Sequence, residues 1–284
     1  MSISTNFIEI IEKISKRISI PPVRDIIIPK VNRTSNKSNF AVVILEDNTS
    51  GIFFINVSTK VKEIFQNLNS KVYKGLDPLK LARKFQSKKI FEKSLGLGAI
   101  NAISQFLFNM ANYSFRYVDD SLGLLRIQKS DIIGMVGLFP SLVRTIEQIG
   151  SKLIIIEKKS ELLTKGKNWR VTLNPTELTR CNKVLITSTT VLNETIDEIL
   201  DCCSNAEKIS MIGPTAGFLP DPLFKRGIHF VGGSHVVDSM LFEESIRNNQ
   251  KWRGCAKKYI IRQSDYIGYE TVLKKASFNL KSKC

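Results

Sequence analysis

SDIIGMVGLFPSLVRTIEQIGSKLIIIE, residues 130–157, is the stretch on which the fold turns. Its first apolar run, 131–136, reads as a short strand and leads into the turn-forming Gly137. Residues 139–149 then carry apolar side chains at helical spacing behind Pro140, and 152–157 form a second apolar run. Strand, helix and strand in so few residues make the crossover unit that parallel neighbours require.

The alternation continues downstream. Residues 183–187 read as a strand, 191–203 as a helix, 208–212 as a strand, 220–225 as a short helical turn and 228–231 as a last strand, while the stretch around Pro175 and Glu177 reads as helical or irregular. Five apolar strands separated by helices favour a parallel sheet covered on both faces. The fold class is therefore α/β, a Rossmann-like doubly wound parallel sheet.

Upstream the pattern is different. A helix over 6–17 has Ile8, Ile11, Ile14 and Ile18 on one face, and Pro21 and Pro22 end it. Strands follow at 23–28, 40–46 and 51–57, the last two joined by the turn-rich residues 47–50 and so readable as a hairpin. Helices at 59–67, 79–85 (after Asp77-Pro78) and 92–112 close the region. Strands followed by helices make an α+β unit, so the chain divides into residues 1–115, a smaller α+β domain, and 116–284, the Rossmann-like domain. The second carries a basic carboxyl-terminal extension with a helix at 242–252, a strand at 259–262 and a helix at 266–276. The sequence does not say which domain that extension packs on.

Composition bounds the function classes. A chain of 284 residues, 43% hydrophobic and 24% charged, can bury real cores and contains no uncharged apolar run long enough for a membrane span. Glu9 and Glu12 interrupt the first helix, which is therefore no secretory signal, and a cytoplasmic location with no membrane partner is expected. The five cysteines (Cys181, Cys202, Cys203, Cys255, Cys284) are odd in number and irregularly spaced, and His229 and His235 have no Cys partner at zinc-site spacing. Neither a disulfide framework nor a structural zinc is expected. The net charge of +16 is spread along the chain, the pattern of a solvated surface. Its mild concentration after Lys251, among Trp252, Tyr259, Tyr266 and Tyr269, leaves a single-stranded nucleic-acid surface as an alternative.

In an open α/β sheet the ligand crevice lies beyond the carboxyl ends of the strands, where strand order reverses. The loops after the first and third strands should flank that point. The first supplies Gly134, Gly137, Phe139 and Pro140: glycines for a tight turn, and a helix start offering amides to an anion. It lacks the G-x-G-x-x-G fingerprint, and Pro140 removes one amide, as any helix-starting proline would. Glu157 ends the second strand, where an acid can accept from a ribose hydroxyl, although polar residues are ordinary at strand ends. The third loop is Thr187-Ser188-Thr189-Thr190, with Asn193 soon after; one hydroxyl suffices to cap a helix and the rest can face a ligand. Gly213, Pro214 and Thr215 continue the pattern at the next strand end.

Gly96-Leu97-Gly98-Ala99-Ile100-Asn101-Ala102, Gly134-Met135-Val136-Gly137-Leu138-Phe139-Pro140, Leu185-Ile186-Thr187-Ser188-Thr189-Thr190-Val191-Leu192-Asn193, Gly213-Pro214-Thr215-Ala216 and Val231-Gly232-Gly233 keep their order between about residues 23 and 238. Together they resemble the putative heavy-metal chelation family of uncharacterised two-domain proteins. The resemblance implies an enolase amino-terminal-like domain, then a Rossmann-like domain, with a site between them toward which Asn101 faces. Where the family commonly has glycine this chain has Ser188, which either narrows the pocket or adds a donor.

The expected function is binding or processing of an anionic or metal-chelating small molecule between the two domains. Backbone donors would come from Gly134, Gly137 and Gly213, and side-chain bonds from Asn101, Thr187, Thr189, Thr190 and Asn193. No compact Cys, His and carboxylate cluster grips a soft metal, so the cofactor stays open, and a metal is expected as an ion or chelate bound through the small molecule. No nucleophile with a partnered base stands out, which leaves enzyme status open; the reading also allows a homo-oligomer.

Overall fold

The computed structural model describes residues 2–30, 39–119, 122, 124–252 and 254–282; Cys284 lies outside them. Helix α1 (Ile3–Ser15) begins earlier than its periodicity suggests, because Ser2 Oγ accepts from Thr5 N at 3.2 Å and caps it. Strands β1 (Val23–Ile27), β2 (Phe40–Leu45) and β3 (Ser50–Phe54) form an antiparallel sheet in that order. At the β2–β3 turn, Asp47 accepts from Thr49 N at 3.0 Å and Asn48 takes φ 71°. Helices α2 (Thr59–Gln66) and α3 (Pro78–Ala82) precede the long α4 (Ile90–Met110).

Helix α4 is buried on nearly all sides, which explains why apolar residues occur around its whole circumference and most of its polar side chains are buried with them. It lies so close to the small sheet that a β-carbon on Gly51 would stand 2.1 Å from the Gly98 carbonyl oxygen, and one on Gly98 would stand 2.5 Å from the Phe53 ring. Close approach is thus what these glycines provide.

The second sheet is built from β4 (Ile132–Val136), α5 (Pro140–Ile149), β5 (Lys152–Ile156), β6 (Trp169–Thr172), β7 (Lys183–Thr187), α6 (Thr189–Leu192), α7 (Ile196–Asp201), β8 (Lys208–Ile212), α8 (Asp221–Phe224), β9 (Phe230–Val236), α9 (Ser239–Arg247), β10 (Ala256–Arg262) and α10 (Tyr269–Lys281). Its seven strands run in the order β10-β9-β8-β7-β4-β5-β6, and all pair in parallel except β10, which is antiparallel to β9. Strand order reverses between β4 and β7, the first and third strands of the sequence reading.

Three local differences have physical causes. The stretch read as helical or irregular contains β6, an edge strand in which Val171 alone is buried, so it lacks an apolar run. The helix expected over 191–203 is two helices, broken where Glu194 adopts φ 57°. Strand β9 outruns its apolar portion because β10 pairs with it from Phe230 to Val236, although Lys257 and Lys258 follow the first residue of β10. The carboxyl-terminal extension packs on both parts: Phe242 and Ile246 of α9 join a core with Ile27, Val42 and Ile44, while α10 lies against α4. Among the described residues no helix is long and apolar enough to cross a membrane.

Candidate functional site

A cavity of about 870 Å³ opens at the carboxyl ends of β4, β5, β7 and β8. Its other wall is the small sheet, through Asn39, Phe40, Phe54, Asn56 and Val57. Asn56 Nδ2 donates to Asn39 Oδ1 at 2.8 Å, so this wall presents a joined pair of carboxamides beside two rings.

The β4 loop turns at Gly137, whose φ of 88° favours glycine. The amides expected for an anion are taken: Gly137 N donates to Ile156 O at 3.0 Å, and Leu138 N donates to Glu157 Oε1 at 2.6 Å. A carboxylate of the protein therefore stands at this turn. The hydroxyl cluster divides in two. Thr187 and Thr189 are half-buried and line the cavity with their hydroxyls 3.1 Å apart. Ser188 and Thr190, 1% and 2% exposed, turn into the protein: Ser188 Oγ lies 2.6 Å from Thr215 Oγ1, and Thr190 Oγ1 donates to Thr187 O at 2.8 Å. Asn193 lines the cavity but, with its amide nitrogen turned toward the surrounding acceptors, donates to the carbonyls of Thr189 and Thr190 at 3.1 Å each, closing the end of α6.

Of the residues singled out in the sequence, Gly137, Phe139, Glu157, Thr187, Ser188, Thr189, Thr190, Asn193, Gly213 and Pro214 come together around this cavity. Four do not line it. Gly134 lies inside β4, where a β-carbon would meet Leu178 Cδ2 at 2.6 Å; packing against the sheet, not a ligand, requires glycine there. Pro140 is exposed at the first turn of α5. Thr215 is fully buried against Ser188. Asn101 does face the β8 tip, as the resemblance implied, but it is fully buried: Nδ2 donates to Ile52 O at 2.7 Å and to Thr215 O at 2.9 Å, tying β3 to the loop after β8.

Other lining residues escaped sequence reading: Leu138, Lys158, Lys159, Leu162, Leu173 and Glu198. Lys158 and Lys159 follow Glu157 directly and stay exposed, a signal readable from their position at a strand end. A smaller hollow of about 220 Å³, sharing Phe139, Gly213 and Pro214, adjoins the cavity over β8, β9 and β10.

Metal donors are sparse here. Among the described residues no group of three or more His, Cys, Asp or Glu could hold an ion. Burial pushes the Cys181 thiol up to about 11 and the Cys203 thiol up to about 12, so neither offers a thiolate near neutrality. His229 Nδ1 accepts from Ile209 N at 3.1 Å, and His235 Nδ1 bonds Tyr117 Oη at 2.8 Å; burial lowers both imidazoles' affinity for a proton. The aromatic rings considered for stacking nucleic-acid bases are packed inward. Tyr259 and Tyr269 are buried, Trp252 lies between Phe40 and Phe242, and Tyr266 donates to Asp221 Oδ2 at 2.7 Å.

Residues 120–263 match the model of the DUF364 family, described as "Putative heavy-metal chelation". An uncharacterized protein of Methanocaldococcus jannaschii is 30% identical over 179 residues, covering 60% of this chain and 66% of its own length, which is less than two thirds of that relative. Two crystal structures of proteins of unknown function from the DUF364 family superpose along most of the chain. The one from Desulfitobacterium hafniense DCB-2 gives a TM-score of 0.65 at 20% identity, covering 91% of this chain and 98% of its own. The one from Pyrococcus horikoshii gives 0.68 at 19%, covering 90% and 99%. At such identity the likeness establishes the fold alone.

Proposed function

The chain belongs to the DUF364 family, described as putative heavy-metal chelation, and from that premise we propose that it binds an anionic or metal-chelating small molecule in the cavity between its two sheets. The observation that carries this reading is the cavity itself: about 870 Å³, sited where strand order reverses and closed from the other side by Phe40 and Phe54. Thr187 and Thr189 offer hydroxyls that both donate and accept. Lys158 and Lys159 at the rim, with the chain's net charge of +16, favour an anion and would speed its capture at low salt.

The donor set does not fit a metal held directly by the protein. The lining carboxylates are Glu157 and Glu198; Glu157 is engaged with the Leu138 amide, and no histidine or cysteine lines the cavity among the described residues. A heavy metal fits this cavity as part of a chelate whose organic portion makes the contacts.

Protein purified from its own host, examined by native mass spectrometry with metal analysis, tests the reading. A small molecule should co-purify, any metal should leave with it, and Thr189→Trp, which puts a bulky ring into the cavity beside Thr187, should abolish both. Undiminished binding in folded Thr189→Trp protein, or stoichiometric metal without a small molecule, would refute the assignment.

A further inference from the structure

Glu157 is unusually well aimed for a strand-end acid. Its Oε1 accepts from Leu138 N at 2.6 Å and its Oε2 from Lys158 N at 3.2 Å, so the backbone on both sides fixes the carboxylate plane. An ionised carboxylate has about four accepting positions, and two amide bonds leave roughly half of them. Because Glu157 also lines the cavity, that remaining capacity suits a ligand with two neighbouring donors, the pattern of a cis-diol.

Beyond Glu157, at the β5 and β6 tips, the same cavity is walled by Leu138, Leu162, Leu173 and Pro175. Leu173 is 43% exposed, apolar surface that a planar ring would remove from water. The β4 turn, in contrast, is not built to cradle a phosphate. Its Gly137 and Leu138 amides are already bonded, Pro140 has none, and the negative charge of Glu157 sits at the turn.

Building on the reading of this cavity as a small-molecule site, we propose that its β4–β5–β6 end holds a nucleoside without a phosphate on its 5′ carbon. The ribose diol lies on Glu157 and the base lies against Leu162, Leu173 and Pro175. The 5′ carbon then faces Thr187 and Thr189, leaving the rest of the cavity, under Phe40 and Phe54, for whatever the nucleoside carries or meets.

Calorimetric titration of the full chain with adenosine, 2′-deoxyadenosine and adenosine 5′-monophosphate reads this out. Adenosine should bind, loss of the 2′-hydroxyl should weaken it on the order of tenfold, and the monophosphate should bind no tighter than adenosine. Glu157→Gln keeps an oxygen for the Leu138 amide. It should weaken adenosine by a similar factor and abolish the difference between adenosine and its 2′-deoxy form, a coupling that a merely structural role would not produce. Equal affinity of the wild type for both nucleosides, or about tenfold tighter binding of the monophosphate, overturns the proposal. Absence of adenosine binding in protein whose co-purified molecule is still lost on Thr189→Trp overturns the nucleoside assignment alone. Absence of both effects overturns the cavity reading as well.

Discussion

A β-carbon on Gly213 would stand 2.1 Å from Ser188 Oγ, and Gly213 also has φ 149°. Gly213→Ala should therefore cost about 2 kcal/mol or more in urea unfolding, part from backbone strain and part from the clash. In a Ser188→Gly background, which removes the clash but also the bond to Thr215, the same Gly213→Ala change should cost less than it does in the wild type; an equal cost in both backgrounds would mean the two loops do not constrain each other as their contact implies. Ser188 thus turns its hydroxyl away from the cavity and holds the β8 tip through Thr215. Asp131 illustrates a different residue-level effect. Burial pushes its carboxyl up, but bonds from Lys183 Nζ, the Gln128 amide and Asn182 outweigh this and hold it below the ordinary 3.8. A carboxyl lowered on folding adds stability that is fully present above the unfolded value and is lost as pH falls through the folded one. Asp131→Asn should accordingly flatten the dependence of stability on pH below about 4, as followed by acid unfolding. Lys183→Met strands the buried carboxylate and should cost about 3–5 kcal/mol at neutral pH.

Helix α4 holds the strand tips in place through three side chains, Ser104 and Gln105 lying about one helical turn beyond Asn101. Asn101 bonds Ile52 O and Thr215 O, Ser104 Oγ accepts from Leu219 N at 3.2 Å, and Gln105 Nε2 donates to Gly217 O at 2.8 Å. Each bond replaces water on a buried carbonyl or amide that would otherwise be unsatisfied. Asn101→Ala leaves two such carbonyls and should destabilise by about 3 kcal/mol in urea unfolding, without direct contact between residue 101 and a cavity ligand. Of these three polar residues inside an apolar helix, the sequence reading singled out only Asn101, through the family resemblance. What it met was not visible, because the 215–219 loop is more than a hundred positions away. The same distinction explains the rest. The strands β4, β5, β7 and β8 were legible because central parallel strands are apolar on both faces, and their tips marked the cavity. Edge strand β6 was not, nor was the apolar slot of Leu162, Leu173 and Pro175 that depends on it. Gly134 was misjudged because a glycine required by Leu178 packing looks, in sequence, like one required by a ligand.

At the scale of the whole molecule, the boundary drawn near residue 115 separates two sheets but not two cores. One apolar cluster runs from Ile3 and Phe7 of α1 through Phe53 and α4 to Ile186, Met211, Val231 and Leu273, crossing both parts of the chain. Helix α4 is buried by both sheets' surroundings, so removing either part would expose one of its apolar faces to water. We therefore expect the parts to unfold as one cooperative unit. The two tryptophans are placed to test this. Trp169 lies on β6 at one end of the large sheet, its Nε1 donating to Glu147 Oε1 at 3.2 Å. Trp252 lies at the small sheet, with ring centroids 5.5 Å from Phe40 and 5.3 Å from Phe242. In Trp169→Phe protein fluorescence reports the small-sheet side, and in Trp252→Phe protein it reports the large sheet. Within each variant the fluorescence and far-ultraviolet dichroism transitions should coincide in urea, although the two variants will differ in absolute midpoint. A Trp252 transition that precedes the dichroism transition would mean that the small sheet opens by itself, and the cavity wall formed by Phe40 and Phe54 would then be a movable element instead of part of one rigid core.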